Sequence, residues 1–512
     1  MSEIVLSTLN ARYIHCAFGL RYLHANLGDL QSRAEIREFT INQRPVDVAE
    51  ALLALNPKII GLGVYIWNAE PTLALVQAIK QLRPDITVIL GGPEVSYETE
   101  GQALTQWADF VITGEGEVTF ADLCRRLLKG GRPLLKVLPG EAPDLKTLKT
   151  PYHYYTDHDI KHRVLYVEAS RGCPYRCEFC LSALDKTTRA FPLEAFLADM
   201  QTLFDRGARQ FKFVDRTFNL NLSISQAIME FFLERYEEGL FLHFEMIPDR
   251  LPEQLRGLIA RFPAGALQFE IGIQSFNPEV AQRISRKQDL QRLNDNFHFL
   301  DRETGVHTHA DLIIGLPGET LESFGEGLDR LIELRPNEVQ IGILKRLRGA
   351  PINRHTERWQ MVYNHAPPYE ILQTEAIPFE QMQRLKRFAR YWDLIANSGN
   401  FQSTLPLLWH EASPFQSFLH FSDWLYETTQ AVHKISLERL VQLTLDYLTT
   451  VKQATRSHVG EHLLRDYTRS GRKPPKCLYE FTDSFQAPRP QTTSTLPKRQ
   501  RRHQAGGAPA LS

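Results

Sequence analysis

Ser170-Arg171-Gly172-Cys173-Pro174-Tyr175-Arg176-Cys177-Glu178-Phe179-Cys180 is the stretch on which the reading of this chain turns. It follows an apolar run at 164–168 that reads as a strand, so it is a strand-to-helix loop. Cys173, Cys177 and Cys180 are three of only six cysteines in 512 residues, spaced C-x3-C-x2-C. Thiolates on one short loop converge on a soft-metal centre, an iron–sulfur cluster, zinc or Cu(I). A four-iron cluster normally takes four cysteines, and no fourth stands near. Three protein ligands leave one coordination position open, as catalytic metal sites do. Arg171 and Arg176 put positive charge beside the loop, which favours thiolate. On spacing alone two other readings stay open: zinc completed by a distant His162, His243, His307 or His309, and three uncoordinated thiols.

Outward from the loop runs an α/β series. Strands are expected at 164–168, 210–214, 241–246, 267–273, 307–314 and 338–344, with helices between them, for example at 224–236 and 278–300. Six βα units are too few for a closed eight-fold barrel, so residues 161–365 read as a partial barrel or a second doubly wound sheet. Residues 1–130 form another such series. Apolar runs at 4–9, 59–66, 87–90 and 110–112 alternate with helical patterns, as in Leu75, Val76, Ile79 and Leu82, which predicts βαβ units around a parallel sheet. The loops at the strands' carboxyl ends hold Asn10, Asn68, Gly91-Gly92-Pro93 and Gly114-Glu115-Gly116, where open α/β sheets bind ligands. Residues 131–160, punctuated by Gly and Pro, are expected to be a linker. From 366 the strand signal fades. Met382, Leu385, Phe388, Trp392 and Ile395 make a helical stripe, and 366–486 read as a helical domain. Residues 487–512 have no apolar face and are expected to be a disordered basic tail.

Composition sets the outer limits. Hydrophobic residues make up 43% and charged residues 23%, ordinary values for a globular protein. Net charge is −1, which gives no pull toward a polyanion, and the short basic tail reads as a solvated end, so no nucleic-acid partner is expected. Sparse cysteine argues against a disulfide scaffold. No apolar run of about 18 residues and no signal segment are visible, so no membrane partner is expected and the expected location is cytoplasmic. Cys124 falls on an apolar helical face, Cys16 beside His15 in the first loop reads as structural with a ligand-facing role as the alternative, and Cys477 carries no recognisable chemistry. His307 and His309 share one face of a strand.

With the cysteine spacing placed after the first strand of a six-unit series, residues 160–350 resemble the radical S-adenosylmethionine (SAM) superfamily. That resemblance implies a [4Fe-4S] cluster on Cys173, Cys177 and Cys180. SAM would chelate the open iron and be cleaved to a 5′-deoxyadenosyl radical, with an electron donor such as flavodoxin or ferredoxin. It also implies SAM contacts at Phe179, Asp215, Glu270, Gln274, Ser275, Arg286 and Gly315, with Asp215 replacing part of the family's commoner Gly-Gly-Glu. The opening Leu9-Asn10-Ala11-Arg12-Tyr13-Ile14-His15 and the glycine loops resemble the cobalamin (B12)-binding subfamily that carries a C-terminal domain of unknown function. This implies a flavodoxin-like domain holding cobalamin near Asn10, His15, Gly91, Gly92, Pro93, Gly114, Glu115 and Gly116. The Asp-x-His-x-x-Gly motif that supplies a cobalt-ligating histidine elsewhere is absent, so cobalamin would lack that ligand or take His15. The implied reaction is methylation of an unactivated carbon of a small molecule or peptide. A rearrangement or cyclisation without methyl transfer is the alternative, and so is a non-enzymatic Fe–S or zinc protein. The sequence names no catalytic side chain.

Overall fold

The structure is a computed structural model that describes residues 2–409, 412–482, 500, 502 and 503. It divides into two compact units. The first comprises residues 1–215, 345–353 and 364–370, and the second 216–344, 354–363 and 371–512. Among the described residues no helix is long and apolar enough to cross a membrane.

The first unit opens with six parallel strands, β1 (Ile4–Asn10), β2 (Ala34–Thr40), β3 (Ile59–Gly63), β4 (Thr87–Gly91), β5 (Phe110–Thr113) and β6 (Val137–Pro139). Their spatial order is 2-1-3-4-5-6, the flavodoxin-like doubly wound arrangement with one strand added. Every residue of β1 is buried, as a central strand covered on both faces requires. Helices α1 (Phe18–Ala25), α2 (Pro45–Leu53), α3 (Ala69–Leu82), α4 (Ala103–Trp107) and α5 (Glu117–Leu128) connect the strands. α2 and α3 seal one face of the sheet with Leu52, Leu75 and Ile79, and α1 and α5 seal the other with Leu20, Phe120 and Cys124. The stretch expected as a linker supplies β6, which pairs with β5 although only three residues long. Helix α6 (Asp157–His162) follows.

A ring of buried charge ties α6 back to the sheet. Arg21 reaches Glu38 at 2.6 Å and Asp159 at 2.9 Å, and Arg163 reaches Glu38 at 2.7 Å and Asp159 at 3.0 Å. Burial works to raise the Asp159 carboxyl, but Arg21, Thr156 and Arg163 outweigh it and hold its pKa at about 2. Strand β7 (Leu165–Val167) starts the second series. A short antiparallel pair, β8 (Ser170–Arg171) with β9 (Arg189–Ala190), frames the cysteine loop. α7 (Leu193–Asp205) leads to β10 (Gln210–Phe213), which lies parallel to β7.

The second unit continues with α8 (Leu222–Glu234), β11 (Phe241–Met246), α9 (Glu253–Ile259) and β12 (Leu267–Gln274). α10 (Pro278–Arg283), α11 (Leu290–Glu303), β13 (His307–Ile314), α12 (Leu321–Glu333) and β14 (Glu338–Ile343) follow. β11 to β14 are parallel neighbours in chain order. The expected helix at 278–300 is two helices. Ser285 takes φ +55°, and Asp289 caps α11 by accepting from the backbone N–H of Gln291 and Arg292. β12 alternates buried apolar Phe269, Ile271 and Ile273 with half-buried Gln268, Glu270 and Gly272. At its exit a closed polar ring forms. Ser275 and Ser323 each donate to Glu319 Oε1 at 3.0 Å, while Asn277 donates to both serines. Burial pushes the Glu319 carboxyl up to about 7.

The C-terminal region begins with a small hairpin, β15 (Val362–Tyr363) and β16 (Ile371–Gln373), whose second strand lies inside 366–486, the segment expected to be helical. Beyond it no strand occurs among the described residues, and the main elements are α13 (Phe379–Ile395), α14 (Pro414–Thr429), α15 (Leu437–Thr450) and α16 (Arg456–Thr468). The predicted stripe is the α13 core face, where Phe388 and Trp392 pack on Phe418. Of the stretch expected to be a disordered tail, Gln500 and His503 are buried in this unit, because each has a polar partner there. Apart from Arg502, its remaining residues lie outside the described ones.

Two stability outcomes follow. Asp159→Ala leaves two buried guanidiniums short of a partner and should cost about 3 kcal/mol in chemical denaturation, whereas Arg44→Ala, which breaks an exposed pair with Asp47, should leave the midpoint unchanged. Glu319 has a folded pKa near 7, above its unfolded value, so its ionisation should cost stability as pH rises from about 4.5 through 7. Glu319→Gln should flatten that part of the stability–pH curve, and a curve of unchanged slope would contradict the assignment.

Candidate functional site

The cysteine loop is built as a tight excursion. Gly172 has φ +89°, and a Cβ there would run into the backbone oxygen of Thr187 on the opposite limb. Cys173 N–H donates to Asp185 O at 3.2 Å and Cys180 N–H to Cys177 O at 3.0 Å. Cys173 and Cys177 are buried, Cys180 is half-buried, and no disulfide joins any of the six cysteines. Among the described residues no three His, Cys, Asp or Glu side chains gather as around a single metal ion. A four-iron cluster does not require that, since each thiolate takes its own iron. Phe179 lies between two of the cysteines, and the backbone oxygen of its neighbour Glu178 accepts from Ile352 N–H at 2.9 Å.

Asp215 sits at the end of β10 and is 2% exposed. It accepts from Ala169 N–H at 3.0 Å and from Ser170 Oγ at 2.6 Å. Burial pushes its carboxyl up to about 7. Its bonds clamp the chain just before the cysteine loop to the next strand. Arg171 faces away from the role expected of it. Its guanidinium meets Glu115 at 2.7 Å, Glu117 at 2.8 Å and Glu168 at 2.9 Å, and lies 4.6 Å from the Tyr22 ring centroid. Three carboxylates neutralise it, so it is spent on joining the cysteine loop to the β5–α5 loop.

Within the first unit a cavity of about 790 Å³ is walled on one side by glycine loops at the strand ends and on the other by Arg171, Gly172, Thr187 and Arg189. A Cβ added at Gly63, Gly91 or Gly116 would meet nothing closer than 3.5 Å, and at Gly114 nothing within 4 Å. A Cβ at Gly114 would stand in open space and at the other three in ordinary contact, so the absence of side chains here keeps the cavity wide. The cavity also runs between the sheet and α1, past Leu20, Gly61 and Phe120. That volume and depth fit a cofactor with a bulky ring and a long arm.

Gly91, Gly92, Gly114, Glu115 and Gly116 line this cavity, whereas Asn10, His15 and Pro93 do not. Glu115 is paired with Arg171 and Arg189. Asn10 donates to Glu38 at 2.8 Å. His15 Nδ1 meets Tyr166 Oη at 2.7 Å, and burial pushes its pKa down. The loop after β4 is held by Glu94, which accepts from Arg348 at 2.8 Å and from Tyr369 Oη at 2.5 Å. Sequence reasoning did not single out Tyr65, which also lines the cavity and stacks on Trp67 at 4.5 Å. Its only sequence signal is its place just beyond β3. Nor did it find Arg189 or Asp185, which carry no pattern before the loop closes.

In the second unit the expected SAM residues gather around the exit of β12. Gln274 takes φ +75°. A Cβ on Gly272 would clash with its side-chain amide and come within 3.6 Å of Arg286. Arg286 donates to Gly272 O. Glu270 meets His243 Nε2 at 3.0 Å, and Ser275 belongs to the Glu319 ring. Gly315, with φ +89°, is backed by Ile371 and Met382. Glu319 belongs to the motif that drew attention to Gly315 but was not itself expected as a site residue.

Comparison with known proteins matches this layout. Residues 5–124 match the family described as B12 binding domain, 167–331 the radical SAM superfamily, and 357–503 a protein of unknown function, DUF4080. An uncharacterized methyltransferase of Pyrococcus horikoshii is 26% identical over 54% of this chain and 64% of its own length. The cobalamin-dependent radical SAM methyltransferase TokK of Streptomyces tokunonensis is 25% identical over 63% of this chain and 54% of its own. The chain thus spans about half to two thirds of the curated relatives it matches. Among solved structures, the cobalamin-dependent SAM radical enzyme OxsB with aqua-cobalamin aligns with a TM-score of 0.64 at 16% identity, over 94% of this chain and 83% of that one. The radical SAM methyltransferase TsrM of Kitasatospora setae aligns with 0.59 at 16% identity, over 74% and 80%. Three successive parts of the chain thus match a B12-binding domain, the radical SAM superfamily and, behind them, a domain of unknown function.

Proposed function

We propose that this chain is a cobalamin-dependent radical SAM methyltransferase that methylates an unactivated carbon of a small molecule or peptide, drawing electrons from a donor such as flavodoxin or ferredoxin. The observation that supports the reading is one cavity with the B12-domain glycine loops on one wall and Arg171, Gly172, Thr187 and Arg189, the flanks of the cysteine loop, on the other. A methyl carrier and a SAM-cleaving cluster have to work close together, and the residues flanking the cysteines stand beside this cavity. When bound, the cluster supplies the electron that splits SAM, and cobalamin supplies a carrier for the methyl group.

The chain's own residues provide position and exclusion. Cys173, Cys177 and Cys180 hold the cluster, and the open iron is left to SAM. Arg171 and Arg189 fix the cysteine loop to Glu115, so the two walls keep their spacing. Asp215 fixes the strand end before the loop. Gly91, Gly92, Gly114 and Gly116 let backbone approach the corrin. At the β12 exit, Gln274, Ser275 and Arg286 orient SAM.

Anaerobically reconstituted protein with SAM and dithionite should release 5′-deoxyadenosine. Cys177→Ala should lose bound iron and that product together, and a zinc-filled site without SAM cleavage would sink the enzyme reading. Protein mixed with hydroxocobalamin and desalted should keep the corrin absorption bands. Gly91→Val, which fills the cavity, should weaken retention at least tenfold while leaving the iron content unchanged; no corrin on the wild-type protein would remove the methyltransferase reading.

A further inference from the structure

β14 is the last strand of the second unit's parallel set, and a last strand leaves an edge of unpaired backbone groups. Here the edge is met by a side chain. Asn397, just past α13, accepts from Val339 N–H at 2.9 Å and donates to Val339 O at 2.8 Å. This is the two-point bond a neighbouring strand would make, supplied by one buried amide. α13 itself packs against β14.

The same region reaches the N-terminal ends of the strands. His307 opens β13 and Glu338 opens β14, and they meet at 3.1 Å. His503 is placed against both. Its Nε2 lies 3.0 Å from Asn397 O and 3.7 Å from Glu338, and its ring meets that of His307 edge-on at 5.4 Å. Gln402 Nε2 donates to His503 Nδ1 at 3.2 Å. Both contacts suit one neutral tautomer, with the proton on Nε2. The Gln500 amide bonds that of Gln268 near the start of β12, and Arg502 donates to Asn400 at 3.1 Å. Gly399, with φ +68°, could not carry a side chain, because its Cβ would lie 2.9 Å from Arg502 and 3.3 Å from His503.

What lies above these ends is unusual for a barrel strand set. The face of β11 to β13 opposite the helices carries His243, Glu245, Glu270, His309 and Asp311 in place of packed aliphatics. A polar face of this kind takes up water from any open end.

We propose that Asn397, Gln500 and His503, which fall in the stretch matching the domain of unknown function, are the stopper of this strand set: Asn397 closes its edge, and Gln500 with His503 closes its N-terminal end, so that bulk water reaches the polar face only from the other side. The residues doing this are separated by about a hundred positions in sequence and converge on the starts of three successive strands. The domain's role is thereby assigned to closure of the radical-bearing core.

Hydrogen exchange on the full chain tests it. In the double variant Gln500→Ala/His503→Ala, amides in 266–271, 306–311 and 338–341 should exchange at least tenfold faster, with 59–63 and 87–91 of the first unit unchanged. Gly399→Val, which displaces His503 from the opposite side, should reproduce the pattern. Unchanged exchange at the strand starts, or equal acceleration throughout the molecule, would overturn the proposal. A second arm alone rests on the radical SAM reading: the reconstituted double variant should consume several-fold more SAM per product formed. If wild-type protein cleaves no SAM, that reading fails, while the exchange result still decides the closure.

Discussion

The first unit depends on the guanidinium of Arg171. It is almost wholly removed from water, 13% exposed at the side chain, and meets carboxylates from two different parts of the chain. Glu115 and Glu117 belong to the turn into α5, and Glu168 to the strand that launches the cysteine loop. Truncating one partner of such a cluster strands a buried charge, which costs far more than the contact itself contributes. The cluster therefore makes separation of the two loops expensive. Arg189 adds a second tie to Glu115 from the far limb of the loop. The cavity between the loops keeps its width because charge, more than packing, holds its walls. Ligands that must exchange a group across a fixed gap gain from that arrangement.

Strand ends elsewhere are held by the same logic with neutral groups. The Ser275–Glu319–Ser323–Asn277 ring fastens the exit of β12 to the start of α12 without a formal ion pair. A carboxyl with its pKa near 7 can act as acceptor for two hydroxyls with little net charge in the interior. Asn397 likewise completes a strand edge with an amide. In each case a polar group that would be costly to bury is satisfied by neighbours on a different element.

How far the sequence could be read follows from the range of the forces involved. Periodicity and turn chemistry are local, and they placed β11, β13 and the α13 stripe nearly to the residue. They failed where a local signal was weak and a distant partner decided. β6 has three residues, and it is a strand only because β5 offers it an edge. Asp289 ended a helical pattern that hydrophobic spacing alone would have continued. Gln500 and His503 sit in a basic, proline-flanked stretch that reads as solvated, yet Gln268, Glu338 and Asn397 bury them. The cysteine spacing was legible because three ligands lie on one loop. The partners of Arg171 were not, since charge pairing across 56 residues leaves no pattern in sequence.

The cavity's lining also bears on how a corrin would be held there. His15, the histidine nearest the expected corrin side in sequence, is engaged by Tyr166 and stands outside the cavity, and no histidine is among the cavity's lining residues. For a corrin placed there, affinity would come from shape: backbone brought close at Gly91, Gly92, Gly114 and Gly116, apolar contact along α1, and depth beside Gly61. Such binding is spread over many weak contacts, so it tolerates loss of any one polar group and fails when volume is filled. That places the burden of specificity on the loops held apart by Arg171, where the chain has concentrated its buried charge.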